Sequence, residues 1–559
     1  MKINIDAGEA TITASGMEFL KLKSEIGRRL GTLQKSGKNT IIIPASTLPL
    51  IQDLLDEEAK NDNCVRSCLE ASERHCAARE KALRLVEEGC DKGIPAKWLE
   101  ILDPAQATAV TAMTLPDILG LCQFDEQGSG KTVMSIASFD VLKEADTVDA
   151  LIVICPKSMV SEWPKDIHRF IGNKYKTVLA EGHKRQKYEA ALKEFDVLVT
   201  NYEGVDVMLT SLIASSATRR YLLVVDESYY LKNSDSIRSE NAEKLRMHCK
   251  RCFVLCGTPA PNSAHDLINQ FDLADLGYTF GGFTKSKTPA EDWDEILRIV
   301  DTRGLFIRRL KPEILQHVPD KNFHVIKVHL KGKQALMYDT ARSELELELR
   351  TLNNQTFKKR LATYFQRRAA LLQICTCPGA LDPTLSETPV KYEALDELLE
   401  GLISQNRKVI VWSFFKRSLD EIMERYHRFN PVRLDGSITS TASRKTAVKS
   451  FQEDPNTMLF LGNPAAAGAG ITLHASYDAI YVSYSNQAAH YLQSLDRIHR
   501  RGQMSDQVNY YLLVCSGTVE ETEIIRLRAK EIRQHELLGD HIPWPTSLDD
   551  ALEELSGHV

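Results

Sequence analysis

DILGLCQFDEQGSGKTVMSIASFDVLKE, from Asp117 to Glu144, reads as a short apolar strand, a glycine-bearing turn and a helix-compatible run. That context makes DEQGSGKT, Asp125 to Thr132, a phosphate-binding loop. Gly128 and Gly130, on either side of Ser129, let backbone amides turn toward phosphate oxygens. Lys131 brings a positive point charge to the terminal phosphates, and the Thr132 hydroxyl suits Mg²⁺. The strict pattern has a further glycine where this chain carries Asp125. A nucleotide site on a parallel sheet is therefore expected, and the rest of the chain decides how many sheets there are.

Four more apolar runs share the first half: ALIVICP (Ala150 to Pro156), DVLVTN (Asp196 to Asn201), YLLVVDE (Tyr221 to Glu227) and RCFVLCG (Arg251 to Gly257). Each is apolar throughout and bounded by turn or polar residues, as a strand buried on both faces is. Helical stretches between such strands imply a parallel sheet. A second series follows: RKVIVWSF (Arg407 to Phe414), NTMLFLG (Asn456 to Gly462), DAIYVSY (Asp478 to Tyr484) and VNYYLLV (Val508 to Val514). The pattern predicts an α/β fold with two parallel-sheet lobes. Between them, residues 330–390 repeat apolar residues at helical spacing. Near the start, TIIIPA (Thr40 to Ala45) precedes a long helical stretch, which reads as a small α+β piece. The expected organisation is an accessory domain at 1–98, a nucleotide-binding lobe at 99–310, a helical linker or protrusion at 311–390, a second lobe at 391–535 and a tail at 536–559.

The chain has 559 residues, 43% hydrophobic and 26% charged, which calls for more than one domain of ordinary globular composition. No run of about 18 apolar residues occurs, and MKINIDAGEA lacks the pattern of a secretory signal. No membrane association and a cytoplasmic location are expected, beside the nucleoid or, for a viral protein, in the host. A net charge of −6 and a pI near 6.2 exclude a generally basic coat but leave room for a local basic groove. The cysteines, of which Cys155, Cys252 and Cys256 lie inside apolar runs, read as buried reduced thiols. Cys249, Cys252 and Cys256 overlap a core strand that leaves their side chains badly placed to converge on zinc, and the spacing of Cys64, Cys68, His75 and Cys76 matches no standard zinc pattern.

YLLVVDES places Asp226 and Glu227 at the end of a buried strand, downstream of the phosphate loop. An acid there holds Mg²⁺, and its neighbour orients or deprotonates the attacking water. QSLDRIHRRGQ, Gln493 to Gln503, carries Arg497 and Arg500 three residues apart, on one face if the segment is helical. An arginine brought to the nucleotide stabilises charge on the transferring phosphoryl group. The candidate catalytic residues are thus Lys131, Asp226, Glu227, Arg497 and Arg500, with Thr132 and Asp226 as metal ligands.

In their order these pieces resemble the Swi/Snf-type ATPases, a branch of helicase superfamily two, over residues 100–530. LDPAQ opens the series, with Gln106 resembling the glutamine that reads adenine. DEQGSGKT, CPKSMVSEW (Cys155 to Trp163), VTNYE (Val199 to Glu203), DESYYLKN (Asp226 to Asn233) and GTPAPN (Gly257 to Asn262) follow. FIRRLKPEIL and VPDK (Val318 to Lys321) resemble the family's arginine-rich passage out of the first lobe. VIVWSFF, RLDGSI (Arg433 to Ile438), AAAGAGITL (Ala465 to Leu473), QSLDRIHRRGQ and GTVEE (Gly517 to Glu521) complete it. The resemblance implies RecA-like lobes, ATP with Mg²⁺, and a motor that tracks on double-stranded DNA and remodels DNA or protein–DNA complexes. It adds Gly470 to the nucleotide contacts, and gives Lys157, Ser158, Asn201, Tyr202, Asn262, Ser413, Arg433 and Gly468 as DNA contacts. An RNA or single-strand helicase and a nucleotide-binding scaffold are the alternatives.

Tyr229 and Pro261 stand where the family usually has histidine and glutamine, and Pro464 and Ala467 where a hydroxyl residue and a glycine are common. FKKRLATYFQRRAA, Phe357 to Ala370, reads either as a DNA-facing protrusion or as a helix with a solvated basic face. The N-terminal piece loosely resembles a DNA-structure-binding module, with a protein-docking domain or a plain appendage as the default. Without long basic tails, the chain looks like a minimal bacterial or viral form.

Overall fold

The runs read as buried strands in each half become strands of two separate parallel sheets. The computed structural model describes residues 1–6, 9–30, 35–89, 93–231, 233, 236–260, 263–281, 283, 285–286, 291–314, 319–385, 387–438, 440–467, 471–484, 488–500, 502–532 and 547–556. The chain divides into two units, Met1–Ile314 and Leu315–Val559.

In the first unit seven parallel strands lie in the order Phe306–Ile307, Gly120–Gln123, Arg251–Leu255, Tyr221–Asp226, Ala150–Cys155, Val197–Asn201 and Thr177–Ala180. Every residue of the five strands from Gly120–Gln123 to Val197–Asn201 in that order is buried, because helices cover the sheet. Gly120 allows one helix to come very close. A Cβ there would stand 2.1 Å from the Cys252 carbonyl oxygen and 2.3 Å from that of Ala274, in helix Asp266–Asp275.

Ahead of this sheet, strands Lys2–Asp6, Glu9–Thr13, Thr40–Pro44 and Lys35–Ser36 form a small antiparallel sheet in that order. Its core packs Ile12, Ile41 and Ile43 with Val65 and Leu69 of helix Asn63–Glu88. Farther along the same helix, Ala82 lies in the core of the large sheet with Trp98. One helix thus serves both cores, and residue 98 marks no break between them. His75, in the middle of that helix, accepts the Leu119 N–H on Nδ1 at 3.2 Å, and burial lowers its pKa to about 4. Cys76 meets the Tyr278 hydroxyl at 2.7 Å. That stretch of helix is packed as core.

The second unit carries six parallel strands, in the order Asp320–Val328, Gln507–Cys515, Asp478–Tyr481, Val409–Trp412, Leu459–Gly462 and Val432–Leu434. The expectation of a helical stretch over 311–390 is corrected at its beginning. Asp320–Val328 pairs with Gln507–Cys515 along its whole length. Lying at the sheet edge with half-exposed side chains, it shows no apolar run. Helices Gly332–Arg350 and Leu361–Thr376 follow, and pack with Val519–Ile532 and Leu548–Ser556 around Tyr338, Leu371, Cys375, Ala551 and Leu555. The end of the expected tail is therefore part of a core.

In the basic run Phe357 to Ala370 the cations divide, with Arg368 buried and Lys358, Lys359, Arg360 and Arg367 exposed. Arg368 is 2% exposed and its Nη2 lies 2.8 Å from both Glu523 and Glu554. Arg367 and Arg360 are paired with Glu348. Among the described residues the one group of possible metal ligands is Cys375, Cys515 and Glu520. Glu520 is already engaged, by Lys391 Nζ at 2.5 Å and the Cys515 N–H at 2.9 Å. No helix among the described residues is long and apolar enough to cross a membrane.

Candidate active site

The strands leading into the phosphate loop and into the acid pair are not neighbours, since Arg251–Leu255 lies between them. All three run the same way, so the loops at their carboxyl ends meet at one sheet edge, where open parallel sheets bind ligands. Gln127 of the phosphate loop donates from Nε2 to Glu227 Oε1 at 3.3 Å. On the third loop, a Cβ on Gly257 would stand 2.6 Å from Gln127 Cγ.

Gly128 and Gly130 have φ of +87° and +89°, a region that side chains with a Cβ rarely adopt. Lys131 opens helix Lys131–Glu144, and its Nζ donates to the carbonyls of Asp125 at 2.7 Å and Glu126 at 3.1 Å. Its charge therefore sits inside the curve of the loop. Ser129 Oγ is buried with no hydrogen-bond partner among the described residues, and Thr132 lies half-buried in the first helical turn. A buried hydroxyl left unmatched beside an ammonium group, on a loop of two left-handed glycines, fits a phosphate chain with its Mg²⁺. Gln106 lies against this loop with both ends of its amide engaged. Nε2 donates to the Ser129 carbonyl at 2.8 Å, and Oε1 accepts the Asp103 N–H at 3.0 Å. At the position expected to read adenine, the structure has a brace for the loop.

Asp125, the departure from the glycine pattern, is an anchor. Its buried carboxylate accepts from Arg309 Nη2 at 2.6 Å, from Nε at 3.1 Å and from the Arg309 backbone N–H at 2.8 Å. Such a forked, charge-assisted contact is both strong and directional. Glu126 continues it, accepting the Lys311 N–H at 2.7 Å and donating its own N–H to the Arg309 carbonyl at 3.1 Å. The arginine-rich passage thus runs beside the phosphate loop as a continuation of strand Phe306–Ile307. The misfit to the glycine pattern was the only signal of this contact in the sequence.

Asp226 ends its strand 7% exposed, with Oδ2 accepting Trp163 Nε1–H at 2.9 Å. Burial pushes its carboxyl up, while Trp163 and the charge of Lys131 oppose the rise. Glu227 follows at φ +54°, a left-handed conformation costing a non-glycine residue about 1–3 kcal/mol. The Tyr202 hydroxyl holds that corner by donating to the carbonyls of Asp226 and Glu227, the latter at 3.1 Å. Trp163 and Tyr202 come from CPKSMVSEW and VTNYE, so each of these motifs supplies a side chain that holds the acid pair. Trp163 was not singled out by sequence. Tyr202 was expected at DNA, but it is 4% exposed and its hydroxyl is turned inward.

The other expected DNA contacts divide. Lys157 and Ser158 are exposed in the turn after Ala150–Cys155. Asn201 is 7% exposed, holding Lys187 Nζ at 2.6 Å and meeting Glu203. Ser413 is fully buried, its Oγ 3.1 Å from that of Ser483. Arg433 is neutralised by Asp435 at 2.7 Å and Asp420 at 2.5 Å, so its charge is already matched. Asn262, Gly468 and Gly470, with Pro261, lie outside the described residues.

In the second unit the helix Ala488–Leu495 stops before Arg497, so Arg497 and Arg500 share no helical face. They converge through a common acceptor instead. Arg497 Nη1 donates to the Ile471 carbonyl at 2.9 Å, and Arg500 Nη1 donates to the same oxygen at 3.3 Å. Both are thereby tied to the end of AAAGAGITL.

A family model described as SNF2-related domain matches residues 105–380, and one described as helicase conserved C-terminal domain matches 390–502. The chain is 27% identical to the ISWI chromatin-remodeling complex ATPase ISW1 of Saccharomyces cerevisiae over 444 residues, covering 74% of this chain and 38% of that protein. It is 28% identical to the putative ATP-dependent helicase/translocase YwqA of Bacillus subtilis over 469 residues, covering 78% and 48%. The chain thus spans less than half the length of these relatives. A solved Sulfolobus solfataricus SWI2/SNF2 ATPase core in complex with dsDNA aligns over 81% of this chain and 97% of that one, at 21% identity and a TM-score of 0.36. The two matched models follow one another in the order of the two parallel sheets, and the chain belongs to the SNF2-related family of helicase-type ATPases.

Proposed function

We propose that this chain hydrolyses ATP and couples the hydrolysis to tracking on double-stranded DNA, remodelling DNA or protein–DNA complexes as it moves. The observation that carries the reading is the meeting of the phosphate loop, the acid pair and the Gly257 loop at one sheet edge, with Gln127 on Glu227. Lys131 would exchange its own loop's carbonyls for terminal phosphate oxygens, and the amides around Ser129 would line the phosphate chain. Thr132 and Asp226 would hold Mg²⁺, which when bound draws off charge developing on the phosphates. Glu227 then orients the attacking water and takes its proton. Arg500, with Arg497 beside it on Ile471, stabilises the transferring phosphoryl group.

Lys157 and Ser158, exposed in the turn after Ala150–Cys155, would touch the DNA backbone, a contact that carries no sequence information. The small N-terminal sheet is a docking module for a partner, and the motor works on DNA in a cytoplasm without a nucleus or in that of a viral host. ATP turnover measured with duplex DNA, single-stranded DNA and RNA tests the reading. Stimulation greatest with duplex is expected. Equal or greater stimulation by the other two would favour a single-strand or RNA helicase, and no turnover at all a scaffold.

A further inference from the structure

Helix Asp266–Asp275 follows GTPAPN and lies on the strand that enters the phosphate loop. Two of its consecutive side chains turn back onto the acid corner. Gln270, fully buried, accepts the Ser228 hydroxyl on Oε1 at 2.5 Å, and its Nε2 donates to the carbonyls of Pro259 at 2.6 Å and Asp266 at 2.7 Å. Asn269 Nδ2 donates to the Leu231 carbonyl. The short turn Ser228–Leu231, which begins beside Glu227, is thus held at both ends by neighbouring amides. One of those amides also holds the Gly257 loop.

A glutamine at a fully buried helix position is costly unless its polar atoms are matched, and here both N–H groups and the carbonyl are. The amide is planar and rigid, with its acceptor on the acid turn and its donor on the Gly257 loop, so neither loop shifts without the other. Pro261, two residues beyond Pro259 in sequence, has no hydrogen-bonding side chain to make this link instead.

We propose that Gln270 is a positioning residue that fixes Glu227 against the Gly257–Ala260 loop for the hydrolytic step, acting through the Ser228 hydroxyl and the Pro259 carbonyl. The assignment rests on reading Glu227 as the group that activates water. The test uses the full chain with Ser228→Ala, which removes one bond, Gln270→Met, which keeps length and shape but loses all three, and the double variant. ATP turnover is measured against ATP concentration, with and without duplex DNA, alongside the thermal midpoint. Each single variant should lose at least about tenfold in kcat with KM changed by less than about threefold, and the double should be no worse than the worse single, because both break one link.

A purely structural glutamine would lower the midpoint and leave kcat alone. Turnover within about twofold of wild type in both single variants, or losses that multiply in the double, would overturn the proposal. Should Gln270→Met fail to fold, the kcat of Ser228→Ala decides alone. Turnover indifferent to duplex DNA would defeat the DNA-tracking reading while leaving the kcat comparison without DNA to judge Gln270.

Discussion

Gln127 links the loop that holds Lys131 to Glu227, and Lys131 and Glu227 each have a replaceable chemistry. Lys131→Ala removes the charge inside the phosphate loop, and Glu227→Gln keeps the shape of the side chain but not its basicity. Both should reduce ATP turnover to background in a steady-state assay. Turnover near wild type in Glu227→Gln would place the base elsewhere. Arg500→Ala should lower kcat by roughly 10³ or more while a fluorescent nucleotide still binds nearly as tightly. Normal kcat in that variant would end the assignment. The phosphate loop and the acid pair were legible in sequence because their chemistry depends on residue type at fixed places on a strand. The environments of Tyr202, Ser413 and Arg433 were not legible, because a motif gives the loop and not the direction of its side chains. Burial turned the first two inward, and two carboxylates claimed the third.

Among the elements, helix Lys131–Glu144 is fastened by one carboxylate. Asp140 Oδ2 accepts Trp98 Nε1–H at 2.8 Å, and the carboxylate also receives the Tyr175 hydroxyl at 2.7 Å, Lys97 at 2.6 Å and Lys174 at 2.5 Å. Burial pushes this carboxyl up, but the four donors outweigh it and lower its pKa from 3.8 to about 2. A depressed folded pKa means stability that is fully present above about pH 4 and drains away as the pH falls toward 2. In chemical denaturation across that window, Asp140→Asn should lose less stability with acid than wild type does. Equal acid slopes would contradict the contact network. The buried strands were legible because burial on both faces demands unbroken apolar runs. Asp320–Val328, Thr177–Ala180 and Phe306–Ile307 were not, since they lie at sheet edges where the demand lapses. The arginines were assigned to a helix that ends at Leu495, because spacing alone does not say where a helix stops.

At the scale of the molecule, two parallel sheets and their order were readable, and the borders between domains were not. Helix Asn63–Glu88 belongs to two cores and Leu548–Ser556 to a third, contacts made at long sequence separation that no local pattern announces. The Asp125–Arg309 pair belongs to the same class, joining residues 184 apart and fixing the passage out of the first unit to the phosphate loop. A motor built this way should convert hydrolysis into movement along duplex DNA. Displacement of a third strand from a triplex by the wild-type chain measures that directly. Displacement should require ATP and be lost in Glu227→Gln. ATP hydrolysis by the wild type with displacement no faster than in Glu227→Gln would contradict it.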